Sequence, residues 1–530
     1  MSKHEFFFKI ATTPDEFEQI HRLNYQTFSE EIPQHQKNEE QKLVDAFHAE
    51  NTYIICIKEN EVIGMTAIRD NRPFSLDKKI GPVERSLSFP VNSPCEVRLL
   101  SVKKEYRNGR VFLGLAQFLI KYCLKKGYDI AFISGTVRQL KLYGQLGFQP
   151  FAQLTGSDEA PFQPMYLTKK TFDESIAGRI LPPTIPFLPG PVQISNKVMD
   201  ALSKTPISHR SDLYKEKLER AKSILGQLVN SKYVHIFLGS GTLANDVVAG
   251  QLSLESGRGL ILANGEFGSR LVEQASRFGL EFDVLQKDWG QAFTRDEIIA
   301  RLSKETSWIW GVHSETSSGM LNDLGLLKEI SKQHQLKLCL DCISSLGALE
   351  VDLDGVFLAT GVSGKAIRAL TGLSFVFHQH EVQPSLTLPK YLDLGTYMAK
   401  ESIPFSQSSN LLEALLAALE DINSVTFEKV VATHSFLKNH FKQFGFTIIS
   451  EDNSSPIILT IEIPSSFSSA VIGDILYNHG YQLHYESDYL QRRNWIQIAC
   501  IDHYATSDLE KMAHLLNRVI TYEQNALQQA

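Results

Sequence analysis

Little in this sequence points to a metal, a membrane or a nucleic acid. The six cysteines (Cys56, Cys95, Cys123, Cys339, Cys342 and Cys500) are scattered, and several fall in apolar, strand-like runs. They read as buried thiols of a reducing compartment, with no metal-ligand set and no disulfide framework. No uncharged run reaches the roughly 18 residues that a membrane-spanning helix needs. Residues 1–10, with Phe6-Phe7-Phe8, are too short and interrupted for a signal peptide, and a cytoplasmic protein is expected. The formal net charge of −7 offers no general attraction for nucleic acid or anionic lipid. Internal repeats and low-complexity tracts are lacking too. What is present is an ordinary globular composition, 43% hydrophobic and 21% charged, over 530 residues. That length suggests about three structural units.

Three short stretches of the second half carry chemistry. His235-Ile236-Phe237-Leu238 runs into Gly239-Ser240-Gly241-Thr242 and then an apolar-periodic helix. Backbone N–H groups at a helix N-terminus bind phosphate, and the small residues allow close approach. Next, Lys337-Leu338-Cys339-Leu340-Asp341 reads as a buried parallel strand ending in an aspartate. Ligands in open α/β sheets bind beyond the carboxyl ends of such strands. Finally, Leu358-Ala359-Thr360-Gly361-Val362-Ser363-Gly364 ends in Lys365. A lysine in such a turn is desolvated, its pKa falls, and it becomes a nucleophile fit for a Schiff base. Taken singly, each stretch is also explained by loop chemistry, a capped turn or a solvated lysine.

Together, in this order, they resemble the class V, fold-type I aminotransferases, which include alanine–glyoxylate and 2-aminoethylphosphonate transaminases. Further residues share the resemblance: Leu188-Pro189-Gly190-Pro191-Val192, Ser208-His209-Arg210-Ser211, Asn264-Gly265-Glu266-Phe267-Gly268 and His313-Ser314-Glu315-Thr316-Ser317-Ser318-Gly319. The resemblance covers residues 180–525 and implies pyridoxal 5′-phosphate (PLP) as cofactor. By it, Lys365 carries the cofactor and moves a proton, and Asp341 holds the pyridinium nitrogen as an electron sink. Ser240, Gly241, Thr242 and Ser363 bind the phosphate, and Phe267 stacks on the ring. Thr316 and Ser344 lie near the phenolic oxygen. Ser406 or Ser408 reaches the phosphate of a partner subunit in a homodimer. One departure stands out. The arginine that clamps the substrate carboxylate in this family is Gln497 in the strand Trp495-Ile496-Gln497-Ile498-Ala499. A neutral amide cannot supply a bidentate ionic clamp. Arg492 or Arg493 then takes over the carboxylate, or the substrate bears another acid group or none, or the chemistry is decarboxylation or elimination.

The first 170 residues read differently. A helix over 14–30 precedes a hairpin, Tyr53–Lys58 and Val62–Ile68 around Glu59-Asn60-Glu61. The strand Cys95–Val102 leads through Arg107-Asn108-Gly109-Arg110 into a helix, Val111 to Lys126, that Gly127 closes. A basic, glycine-bearing strand-to-helix turn is a phosphate site, with Arg107 and Arg110 as charge-assisted donors, or a surface turn with two solvated arginines.

Arg22-Leu23-Asn24-Tyr25-Gln26-Thr27-Phe28, Glu96 to Val102 and Leu142-Tyr143-Gly144-Gln145-Leu146-Gly147-Phe148 resemble GNAT-fold acyltransferases. The nearest branch includes the N-acyl amino acid synthases and acyl-homoserine-lactone synthases. The usual glycine spacing of the turn is lost in Arg107-Asn108-Gly109-Arg110-Val111-Phe112, so acyl-CoA and acyl carrier protein both remain open as the acyl donor. The resemblance implies Glu96 as acceptor of the amine's proton and Tyr143 as donor to the leaving thiolate.

The expected architecture is α/β: a GNAT-like α+β domain over 1–175 and a Pro-rich linker over 176–190. A doubly wound, mostly parallel PLP-binding domain over 191–430 and a small C-terminal domain over 431–530 follow. The expected function is bifunctional, with transamination of an amino or keto substrate coupled to N-acyl transfer from a thioester. Two alternatives stay open: a PLP-dependent lyase or decarboxylase beside the acyltransferase, and a GNAT-like module that senses without catalysing.

Overall fold

The computed structural model describes residues 6–32, 34–157, 160–181 and 183–529. Two compact units form. One comprises Met1–Ile185 with Asp474–Tyr481 and Tyr522–Ala530; the other comprises Pro186–Gly473 with Gln482–Thr521. The chain thus returns twice, late in the sequence, to the unit it built first. No helix among the described residues is long and apolar enough to cross a membrane.

The first unit is built on one sheet. Its strands run in the order Phe7–Ile10, Thr52–Lys58, Glu61–Arg69, Pro94–Val102, Ile130–Thr136, Ala160–Thr168 and Gln149–Pro150. The predicted hairpin forms, and its turn residues Glu59 and Asn60 both take positive φ, at 50° and 67°. That geometry matches the right-handed twist of the flanking strands. Helix Pro14–Tyr25 starts on a capping box, with Thr13 and Glu16 satisfying each other's backbone. It continues as a π-helical turn, Gln26–Glu31, a form concentrated at functional sites. Helix Arg110–Lys126 opens at Gly109 and closes at Gly127. Its Val111, Leu115 and Phe118 pack on Ile54, Cys56 and Ile63 of the sheet. The segment expected as an extended linker is helical over Ile176–Ile180.

The second unit holds a seven-stranded sheet in the order Tyr233–Leu238, Leu373–His378, Leu358–Val362, Lys337–Asp341, Thr306–Val312, Arg258–Ala263 and Phe282–Gln286. Only Leu373–His378 runs antiparallel to its neighbours. Apolar layers cover both faces. Leu218, Leu225 and Leu415 lie in one, Val247, Leu271 and Tyr397 in the other. This is why the strands read as continuous apolar runs without alternation. Leu358–Val362 is buried at every position, and each fully buried aliphatic side chain contributes about 1.5–3 kcal/mol. The sheet is therefore a rigid ledge whose carboxyl edge presents Leu238, Val312, Asp341 and Val362. A three-stranded sheet, Thr447–Ile448, Ile458–Glu462 and Trp495–Ala499, forms a smaller layer with helix Ser424–Gln443.

Candidate active site

A cavity of about 450 Å³ opens at that edge, lined among others by Gly241, Thr242, Phe267, Asp341, Ser344 and Lys365. All six were candidates from the sequence, and the fold brings them together from four separate stretches. Lys365 Nζ donates to Ser344 Oγ at 3.0 Å and lies 5.2 Å from the centre of the Phe267 ring. Burial pushes the Lys365 amine below its ordinary value, Asp341 and Glu315 oppose that, and the charge of Arg270 adds to it. The turn after Val362 needs its glycine, because a methyl group on Gly364 would overlap Thr371.

Asp341 is the main test of whether PLP fits. The carboxylate is buried, and burial raises its pKa. Asn245 Nδ2 donates to Oδ2 at 2.8 Å and the Ile343 amide to Oδ1 at 2.9 Å. Asn245 is itself fixed, accepting from Thr360 Oγ1 at 2.9 Å. Asp341 has no salt-bridge partner among the described residues. A buried, oriented carboxylate without a counter-ion is costly unless a cation joins it, and a protonated ring nitrogen supplies one. At the other end of the cavity, helix Gly241–Leu252 follows Ser240, which is extended and makes no side-chain cap bond. The Leu243 amide turns back to Ser240 O at 3.0 Å, and the Gly241 and Thr242 amides are left for an anion such as a phosphate.

Phe267 owes its place to a residue whose position matched the family but whose role the sequence did not reveal. Glu315 is fully buried and accepts from the backbone amides of Gly268 at 2.8 Å and Phe267 at 3.4 Å. It pins the N-terminus of helix Glu266–Arg277, where a carboxylate complements the helix dipole. Asn245, Ile343 and Arg270 also line or orient the cavity and were not anticipated. Only Arg270 has a local signal, since it sits three residues after Phe267 on the same helix.

Other expectations need correction. Ser363 spends its hydroxyl on Leu370 O at 2.6 Å, tying down the turn instead of facing a phosphate. Thr316 is buried outside the cavity, and its carbonyl accepts from Gln497 at 2.7 Å. Gln497 is fully buried and its amide is spent. Nε2 also reaches Thr460 Oγ1 at 2.9 Å, and Oε1 meets His484 Nδ1 at 2.9 Å. It pins the small sheet to the 316–317 turn and does not line the cavity. Neither do Arg492, which bonds Asp488 O, and Arg493, stacked 3.6 Å over the Trp289 ring. Ser408 caps helix Ser409–Leu419 through the Leu411 amide, and Ser406 is exposed.

In the first unit the predicted residues scatter. Glu96 is buried, with both oxygens engaged: Oε2 by the Ser75 amide at 2.8 Å, Oε1 by Ser75 Oγ at 2.6 Å and the Leu76 amide at 3.0 Å. It fastens a loop to its strand, and Arg98 Nε lies 3.6 Å from Oε2. Arg107 pairs with Glu31 and Val102 O, and Arg110 is exposed at the start of its helix. The half-buried Tyr143 ring packs against Gly135.

What the sequence did not reveal there is a cleft. Strands Pro94–Val102 and Ile130–Thr136 pair, in parallel, only through Pro94–Glu96 and Ile130–Phe132. Leu99, at φ 56°, then inserts a bulge, and the two strands part. At the paired end of these strands, away from the split, an apolar cavity of about 100 Å³ is lined by Val97, Ile120, Cys123, Ile130, Phe148 and Phe172, among others.

Comparison with known proteins places both units. Residues 193–414 match the family model described as aminotransferase class-V. The chain is 32% identical over 299 residues to the soluble hydrogenase 42 kDa subunit of Anabaena cylindrica, covering 52% of this chain and 78% of that one. This chain belongs to the class-V aminotransferase family. Residues 23–117 match the acetyltransferase (GNAT) domain model, so a class-V aminotransferase and a GNAT domain share one polypeptide. A serine–glyoxylate aminotransferase of Arabidopsis thaliana is 28% identical over 275 residues, 47% of this chain and 67% of its own. Among solved structures, an aspartate aminotransferase of subgroup IV from Thermus thermophilus superposes with a TM-score of 0.59 at 24% identity, over 64% of this chain and 99% of that one. That likeness shows the fold, fold type I. The class-V fold implies PLP as cofactor, and the lining of the cavity fits it.

Proposed function

We propose that this class-V aminotransferase transfers an amino group between small amino and keto substrates at Lys365. The GNAT unit then transfers an acyl group from a thioester to an amine. The observation that carries the first half is one desolvated lysine sharing a cavity with an unpaired buried carboxylate, an aromatic ring and an uncapped helix N-terminus.

PLP, when bound, supplies an aldehyde that exchanges amino groups and a ring that withdraws electrons. The chain does the rest. Gly241 and Thr242 hold a phosphate at the helix start, and the free Ser240 hydroxyl adds a donor. Asp341, aimed by Asn245 and the Ile343 amide, keeps a proton on the ring nitrogen. Phe267, set by Glu315, covers one ring face. Lys365 Nζ, its basicity lowered by burial, takes a proton from the substrate's α-carbon and returns it two atoms along, beyond the nitrogen, with Ser344 Oγ holding its approach.

In the GNAT unit, the parted strands offer two facing backbone edges to a phosphopantetheine arm, whether of coenzyme A or of a carrier protein. The buried Ser134 hydroxyl on one strand has no partner among the described residues and is a ready donor there. Tyr143, packed on Gly135, is the group we assign to protonate the leaving thiolate. A water takes the amine's proton and passes it on to solvent, while Tyr143 regains its own from solvent. The two reactions are linked if the amine made by one is the acceptor of the other. A coupled assay tests this with keto acid, amino donor and acyl thioester supplied. Acylated product should vanish in Lys365→Ala; product formed at the wild-type rate sinks the link.

A further inference from the structure

The aminotransferase cavity has lost the family's cation, and the structure shows where another stands. Gln497 is locked into the protein by Thr316 O, Ser317 O, Thr460 and His484. Arg492 and Arg493 lie off the cavity wall, held by Asp488 O and the Trp289 ring. Two arginines do line the cavity, Arg270 and Arg277, both on the helix that carries Phe267. Arg277 is the more exposed, 73% against 53%, and its Nε and Nη2 hold one oxygen of Glu273 closely, at 2.9 and 2.6 Å. Arg270 stacks its guanidinium 5.1 Å from the Phe267 centroid, and Lys365 Nζ is 5.2 Å from that same centroid. Its bond to Glu266 is loose. Nε and Nη2 both reach the single oxygen Oε1, each at 3.2 Å. The edge formed by Nη1 and Nη2 is left to receive a second anion in the bidentate manner.

We infer that Arg270, on the helix beside the ring, has taken over from the missing strand arginine as the anchor for the substrate's acid group. The helix position moves the anchor to a different wall of the cavity, so the accepted amine carries its acid in a direction the strand arginine would not serve. The inference rests on the transaminase reading and deepens it. A rival role for Arg270 is the cofactor's phosphate, which shares the same chemistry, and the test must separate the two.

Two carbonyl reagents do this without knowledge of the natural substrate. Aminooxyacetate and O-methylhydroxylamine both condense with the cofactor's aldehyde carbon, and only the first bears a carboxylate. With the full-length protein loaded with PLP, the absorbance change gives each second-order rate. Arg270→Gln should slow aminooxyacetate about 10- to 100-fold, the scale of one charged hydrogen-bonded contact, and leave O-methylhydroxylamine within twofold. Arg270→Lys should restore part of the loss. Dissociation of PLP, followed by quenching of tryptophan fluorescence, should be unchanged. Equal effects on both reagents, no effect on either, or a tenfold weaker hold on PLP would overturn the inference. If the wild-type protein takes up PLP but no amino donor is converted, the transaminase reading fails by itself, while the difference between the two reagents still reports on Arg270.

Discussion

The two units differ in where their unspent chemistry lies. In the aminotransferase cavity, the groups that the sequence singled out are buried, oriented and still short of a partner. Among the described residues Asp341 has no salt bridge and feels Lys365 only through space, Lys365 has one hydroxyl, and Ser240 makes no side-chain cap bond. In the GNAT unit, the acid chosen from the sequence is buried and already holds three donors, and the chosen arginines face solvent or pair with neighbours. Unsatisfied capacity there sits elsewhere: on Asn24, Thr27 and Ser29 of the first helix and its π turn, and on Ser101 and Ser134 of the parting strands. A buried polar group without a partner is a better pointer to a ligand than the residue type alone.

Lys365→Ala should break the comparison most severely, lowering transamination by about a thousandfold or more while a thioester assay of acyl transfer to a supplied amine stays unchanged. A loss of both activities would mean that the units do not act separately. Asp341→Asn should cut transamination by about 100- to 1,000-fold, the scale of one charge contact in a water-excluded site. The same change removes a buried uncompensated charge, so the PLP-free protein should melt no earlier than wild type. An earlier melt would show that the carboxylate is structural, as Glu96 is. Glu96→Gln should do the reverse, costing about 1–3 kcal/mol of stability through its loop contacts and leaving the pH profile of acyl transfer where it was. A flattened profile would restore Glu96 as a proton acceptor.

The smallest effect concerns pH. Burial makes Lys365 a weaker base in the folded protein than in the unfolded chain, where its pKa is 10.5. Between the lowered value and 10.5 the unfolded chain binds more protons, so the stability of the PLP-free protein should rise with pH through that interval. Denaturant titrations should show this slope in wild type and lose it in Lys365→Met. An identical slope in both would place the lysine in water.

Much of the second unit was legible because its signals are local and ordered along the chain. Strand, turn and first helical residue are contiguous at Leu238 to Thr242, and strand-end aspartate and lysine fall at the same edge in any parallel sheet of this winding. The expected strand Lys337–Asp341 forms with those bounds, and the run His235–Leu238 forms as part of Tyr233–Leu238. Ser363 and Gln497 were misjudged because a hydroxyl or amide at the right position can still turn to its own backbone, and only packing settles which way. Glu96 failed for the same reason. Its partners, Ser75 and Leu76, lie some twenty residues away in a loop with no periodic pattern.

By itself the sequence determined the winding of the sheet, the lysine and the aspartate that face each other across its edge, and the presence of an acyltransferase-like unit before it. The winding follows from hydrophobic period; the lysine, the aspartate and the first unit are marked by short contiguous motifs through their resemblance to known families. The tertiary structure alone decided which polar groups remain free: that Glu315 sets the helix bearing Phe267, that Gln497 is consumed, that Arg270 stands in the cavity, and that two strands part beyond Glu96. Each of these depends on hydrogen bonds and packing between segments far apart in the chain, where no local pattern records the outcome.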